Sequence, residues 1–156
     1  MLARWIQLGL LVAACALLLT GPATAQPSQR EASILAAVNG VRKAHGVPPL
    51  KVDTKLMGVA RGYSASLLRH GVLTHGNFEQ RMASSGARGP RFGENLAWGT
   101  GGYAAAKSIV RAWMSSPGHR ANLLRPGFRR IGIGALVGSF SGYSGATVVT
   151  ADFAGS

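Results

Sequence analysis

Cysteine is almost absent from this chain: the 156 residues hold one, Cys15, and it lies in a hydrophobic leader. Past that leader no disulfide can form and no thiolate is available to a metal. Stability therefore has to come from packing, and any metal site from histidine and carboxylate. Acids are nearly as scarce. Five carboxylates, Glu31, Asp53, Glu79, Glu94 and Asp152, face seventeen Lys and Arg, a formal charge of +12 at neutral pH. Such a surface draws polyanions. Outside the cytoplasm these are anionic lipid headgroups, lipopolysaccharide and acidic wall polymers more than nucleic acid. No nucleic-acid-binding module pattern is present, and the basic residues are scattered except at Arg125, Arg129 and Arg130.

The leader "MLARWIQLGLLVAACALLLTGPATAQ" carries Arg4, an apolar run to Leu19 and the small-x-small tripeptide Ala23-Thr24-Ala25. That pattern is a secretory signal cleaved after Ala25, and its apolar run is too short and too weakly flanked to favour a permanent membrane span. A second reading attaches lipid at Cys15, because Val12-Ala13-Ala14-Cys15 resembles a lipoprotein processing site. The residues after Cys15 stay apolar where a lipoprotein usually turns polar, so cleavage after Ala25 is preferred. Residues 1–25 are then a signal peptide and residues 26–156 one secreted or periplasmic domain, expected to be a monomer. The length suits a single core.

From Glu31 to about His45 the residues Ile34, Leu35, Val38 and Val41 recur at helical spacing, and Gly46 with Pro48-Pro49 ends the pattern. Asp53 caps a second helix with the stripe Leu56, Val59, Ala60, Tyr63 and Leu67, closed by Gly71. A short helix is expected over residues 78–83 and an extended stretch over residues 94–98. A fourth helix runs from about Tyr103 to Met114, and a fifth starts at Ser116-Pro117, with Ser116 as its cap and proline at its first position. Then the period changes. "IGIGALV" and "TVVTADF" are β-branched runs separated by a Gly/Ser-rich loop, the pattern of two antiparallel strands. Helices first and strands last predict an α+β fold with helices packed on a small antiparallel sheet.

Three segments put an ionisable residue among glycines or at an element boundary: Thr74-His75-Gly76, Gly93-Glu94-Asn95 and Gly118-His119-Arg120. His119, near the positive end of the fifth helix, should be disfavoured as an imidazolium and kept neutral, able to accept a proton or bind a metal. His45 and His70 close helices one and two and complement their negative ends, which explains both structurally. Spacings of this length match no local metal motif.

The whole of residues 26–156 resembles the CAP superfamily of cysteine-rich secretory proteins, antigen 5 and pathogenesis-related proteins, and in particular its small bacterial SCP-like members. The segments that carry the resemblance are "ILAAVNGVRKAHGVPPLKVDTKL", "LTHGNFEQRM", "GENLAWG", "WMSSPGHRANLL" and "RRIGIG", in the family's order. The resemblance implies an α-β-α sandwich with a cleft holding two histidines and two glutamates, which binds a divalent metal in some members. Position by position it assigns His75 and His119 as the metal-binding imidazoles and Glu94 as one acid. The second acid follows the helix-four tryptophan in animal and plant members, and here that stretch is Trp113-Met114-Ser115-Ser116, with no carboxylate.

Three functions are compatible with this reading. The first is a binding module for a hydrophobic lipid, an anionic wall polymer or another partner, whose His75/His119 centre holds a divalent metal such as zinc weakly. The second is a metal-assisted hydrolase with Glu94 as general base. The third is a structural envelope protein. The incomplete acid set favours binding over catalysis. Glu94 is expected to orient an imidazole rather than ligate, Asn95 and Ser116 to support the site, and Arg120 to face solvent or a carboxylate.

Overall fold

The computed structural model describes residues 26–155. The leader, with its cleavage site and the Cys15 alternative, lies outside the described residues. Helix α1 (Gln29–Ala44) opens two residues before the predicted start because Ser28 and Glu31 form a reciprocal capping box. Helix α2 (Thr54–His70) begins where Asp53 accepts from the Lys55 and Leu56 amides, and ends at Gly71 in the left-handed conformation. Glu31 also takes both Nε and Nη2 of Arg61, which ties α1 to α2. His45 and His70 each point Nδ1 back to the carbonyl four residues earlier, Val41 and Ser66, the helix-end role expected of them.

Strand β1 (Lys51–Val52) precedes α2; α3 (Phe78–Ser84) and β2 (Phe92–Gly99) follow it. A 3-10 turn (Gly101–Ala104) then leads to α4 (Ala106–Ser115). That helix starts later than the sequence predicts, because Ala105 is extended and breaks the turn from the helix. Helix α5 (Pro117–Leu124) and the long hairpin of β3 (Phe128–Phe140) and β4 (Tyr143–Gly155) complete the chain. Ser116 does not cap α5: its side chain makes no cap bond, and the turn is closed by Arg120 N–H donating to the Ser116 carbonyl.

The sheet order is β1-β3-β4-β2. Strands β3 and β4 are antiparallel, as predicted; β2 also runs antiparallel to β4, and the two-residue β1 adds a parallel pair with β3, so the sheet is mixed. Strand alternation sends side chains to two helical layers. Ile131, Ile133, Val149, Ala151 and Phe153 pack with Ile34 and Val38 of α1, Ile109 and Trp113 of α4, and Leu123 of α5. The other face packs against α2 and α3 through Leu56, Leu67 and Met82 with Leu96, Val148 and Ala154. This is an α+β sandwich with helices on both faces. No helix among the described residues is long and apolar enough to cross a membrane.

Candidate functional site

Edge strand β2 runs between the two layers, and its neighbouring residues Glu94 and Asn95 point to opposite ones. Glu94 pairs in register with Asp152 of β4, on the α2/α3 face, whereas Asn95 pairs with Ala151 on the α5 face. Gly93 must lack a side chain there, since a Cβ would sit 2.9 Å from the Phe128 ring and 3.0 Å from Asn122 Oδ1. The Gly-Glu-Asn order therefore lets α5 close on the strand while sending one polar group to each side.

Glu94 is 5 % exposed, and both of its oxygens are engaged. Nδ1 of His75 donates to Oε1 at 2.7 Å, and Nη2 of Arg81 donates to Oε2 at 2.5 Å. Arg81 also donates to the His75 carbonyl at 2.8 Å, and its guanidinium lies over the Tyr63 ring, 3.3 Å from the centroid. Tyr63 in turn donates its hydroxyl to the Thr74 carbonyl. His75 is thus held on both sides by α2 and α3 while its ring stays 56 % exposed. Because a carboxylate can only accept, Nδ1 of His75 carries the hydrogen, so in the neutral ring the lone pair is on Nε2.

His119 comes from the opposite layer. Asn95 Nδ2 donates to its carbonyl at 3.0 Å, and Asn122 Nδ2 bridges to Asn95 Oδ1 and the Glu94 carbonyl, so α5 is fastened to β2 beside the ring. Burial, and secondarily the nearby charge of His75, pull the His119 pKa below the ordinary 6.5. The neutral ring anticipated from the helix end is thus produced mainly by desolvation. The structure therefore brings His75 and Glu94 into contact and sets His119 within electrostatic reach of His75. Arg120 is exposed. Among the described residues no three His, Cys, Asp or Glu side chains are grouped to hold a metal ion.

Two participants escape the sequence reading. One is Arg81; the other is Asp152, fully buried beside Glu94, with neither oxygen finding a partner if both acids are ionised. Burial first, and then the charge of Glu94, push the Asp152 pKa well above its ordinary 3.8; the charge of Arg81 opposes them, and hydrogen bonding to Glu94 adds the least. Burial and the neighbouring carboxylate thus both favour the neutral form of Asp152. A second carboxyl lies buried beside Glu94, supplied by β4 and not by the end of α4. The signal available in sequence was an acid in the interior of the β-branched run "TVVTADF", where burial is the default.

This arrangement has a pH signature. The folded chain holds a proton on Asp152 that the unfolded chain releases above about pH 4, so this residue makes stability fall as pH rises through that window. Asp152→Asn keeps a donor toward Glu94 and removes the ionisation. At pH 7 to 8 it should melt about 2–4 °C higher than the wild type, for a gain of about 1 kcal/mol. The difference should vanish near pH 4. Melting curves across that range test it, and parallel curves for the two proteins would mean that Asp152 is not the proton carrier.

Residues 35–153 match the family model described as the cysteine-rich secretory protein family, CAP. The uncharacterised protein YkwD of Bacillus subtilis is 33% identical over 120 residues, covering 74% of this chain and 46% of that protein, so the chain spans less than half the length of this relative. An extracellular SCP-domain protein of Bacillus anthracis superposes with a TM-score of 0.66 at 24% identity, over 79% of this chain and 39% of its own. An outer surface protein of Borrelia burgdorferi superposes with a TM-score of 0.68 at 22% identity, over 85% of this chain and 97% of its own. With its helix–sheet–helix sandwich and the His75–Glu94 contact at the edge of β2, the chain belongs to the cysteine-rich secretory protein, or CAP, family.

Proposed function

We propose that the protein is an exported CAP-domain binding module whose His75 and His119 imidazoles hold a divalent metal, zinc or copper by donor type, weakly and reversibly. The observation that carries this reading is the 2.7 Å bond from His75 Nδ1 to Glu94, which orients the ring and leaves Nε2 free to bind. Glu94 has both oxygens occupied by His75 and Arg81, and Asp152 is fully buried, with burial favouring its neutral form, so neither is poised to take a proton from water. That favours binding over hydrolysis. A metal bound here would supply Lewis acidity and a point of attachment for an anionic or nitrogenous ligand. Export rests on the leader and agrees with the two solved relatives, one described as extracellular and the other as an outer surface protein.

A second reading, a hydrophobic ligand, has its own observation. An open groove of about 800 Å³ runs between α1 and α4, lined by Ala37, Gly40, Val41, Val110 and Met114, with Lys107 and Arg111 also on it. An apolar chain with an anionic head would match that lining.

Zinc titration calorimetry at neutral pH tests the metal centre. His75→Ala and His119→Ala should each lose at least about 100-fold in affinity, and the double variant should lose little more, because either change leaves one imidazole. Glu94→Gln should lose about 10- to 100-fold, the usual effect of removing a carboxylate that orients a ligand. A mild chelator should strip the metal without lowering the melting temperature much, unlike a structural zinc whose binding energy is folding energy. Unchanged affinity in both histidine variants would overturn the shared site.

A further inference from the structure

Folding gathers cations that are dispersed in the sequence. At the end of the sheet where β3 begins and β4 finishes, Lys51 is the register partner of Arg130, and Lys55 reaches across to donate to the Gly86 carbonyl. Arg130 itself is spent internally: it pairs with Asp53 and donates to the Arg88 and Gly155 carbonyls. It is therefore a clamp, not part of a free basic trio with Arg125 and Arg129. By pinning the loop that carries Arg88, it brings that loop against the sheet.

Two hollows flank the clamp. One, of about 360 Å³, is lined by Lys55, Arg88 and Arg130, with Val52 and the Arg130-paired Asp53 also on it; the other, of about 390 Å³, by Pro90, Arg91, Arg125, Phe128 and Gly155. Arg125 lies over the Phe128 ring, with its Nε lacking any partner, and Arg129 is tethered to the Pro126 carbonyl beside it. Among the described residues the carboxylates in ion pairs are Glu31, Asp53 and Glu94, taken by Arg61, Arg130, and His75 with Arg81. Lys51, Lys55, Arg88, Arg91 and Arg129 are exposed and Arg125 is half-buried, and none of them pairs with a carboxylate among the described residues.

We infer that this end face binds a linear phosphate-bearing polyanion, which lays successive anionic groups into the two hollows on either side of Arg130. Guanidinium groups match phosphate geometry, and a run of them gains affinity by releasing counterions from the polymer. A chain fits better than a bilayer because, among the described residues, Val52 at the rim of the first hollow is the one large apolar side chain exposed at this end, too little to anchor in lipid. The exposed Val137 and Tyr143 lie at the hairpin end of β3 and β4, Tyr103 lies beyond the C-terminal end of β2, and Val72 and Leu73 follow α2, which runs parallel to β3; all belong to the opposite end. Membrane-surface binding normally combines cations with such side chains. The inference does not depend on the histidine cleft.

Long-chain inorganic polyphosphate is the probe, with binding read by fluorescence anisotropy over a range of salt concentrations. The variant with Arg88, Arg91, Arg125 and Arg129 all changed to Gln should lose more than 10-fold in affinity at physiological salt. Its slope of log affinity against log salt should flatten by roughly 3, as expected for four lost phosphate contacts. Changing Arg30, Lys43, Arg69 and Arg120 to Gln removes the same charge elsewhere and should cost less than 3-fold. Equal losses in the two variants would overturn a localised site in favour of net charge. Retention on phosphatidylglycerol vesicles that depends on the four arginines, without binding of polyphosphate, would overturn the polymer in favour of a membrane. Zinc titration of the same variants keeps this result separate from the fate of the cleft.

Discussion

Alanine at Gly134 should destabilise the protein by about 3 kcal/mol or more, and alanine at both Gly132 and Gly134 should leave it largely unfolded. A Cβ at Gly132 would lie 2.1 Å from the backbone carbon of Leu56 and 2.2 Å from the Met57 nitrogen; at Gly134 it would lie 2.4 Å from the Ala60 carbonyl atoms. These neighbours are helix backbone, which cannot swing aside as a side chain can. Relief requires the whole of α2 to move outward by more than about 1 Å, opening the layer packed under it. That movement would also break the buried bonds from Ser64 Oγ to the Gly134 carbonyl and to Thr150. Gly58, on the same helix, is the control, because a methyl group added there would meet nothing within 4 Å. Alanine there should stabilise by about 0.5–1 kcal/mol through helix propensity alone. Urea melts of the four proteins measure the contrast, and a Gly134→Ala protein as stable as the wild type would refute the close packing.

The same glycines show which parts of the molecule a sequence discloses. Helices α1 and α2 are legible because local signals agree: a cap at Asp53, a stop at Gly71 and an apolar stripe between them. The hairpin is legible from its β-branched runs. Strand β1 is not, since two residues have no period, and the start of β2 is hidden in a glycine-rich loop because Gly93 serves a contact with α5 that exists only after folding. In the cleft, His75, Glu94 and His119 stand out by motif. Arg81 does not, because its salt bridge to Glu94 joins a helix to a strand across an intervening loop. Asp152 was hidden by its strand: a run with strong β propensity masks the one residue in it that is costly to bury. The scattered cations are a third case, since Arg88 and Arg130 meet only through the clamp that closes the loop on the sheet.

Replacing Arg42 with methionine should be nearly as damaging as crowding the glycines, for the opposite reason. The Arg42 side chain is fully buried, yet no ion pair with a carboxylate forms among the described residues. Its guanidinium instead donates to the carbonyls of Pro48, Leu123, Arg125 and Phe128, joining α1 to the loop before β1, the end of α5 and the start of β3. Burial, and then the charge of Arg129, hold its pKa below that of an ordinary arginine, but guanidinium is basic enough to remain charged. Methionine fills much of the volume and supplies no donor, so carbonyls at the end of α5 lose their partner. Buried acceptors left unpaired cost about 1–3 kcal/mol each, which sets the expected loss at about 4 kcal/mol or above. Arg42→Lys, with three donors on a single nitrogen, should recover part of it. Because α5 carries His119, the effect should extend to the cleft: below its melting temperature the methionine variant should bind zinc more weakly than the wild type, and the lysine variant should fall between them. A methionine variant within about 1 kcal/mol of the wild type in urea would mean that these carbonyls find other partners and that Arg42 is not what fastens α5. Loss of stability with intact zinc affinity would instead place the cleft's rigidity in the Asn95–Asn122 tie on the other side of the helix.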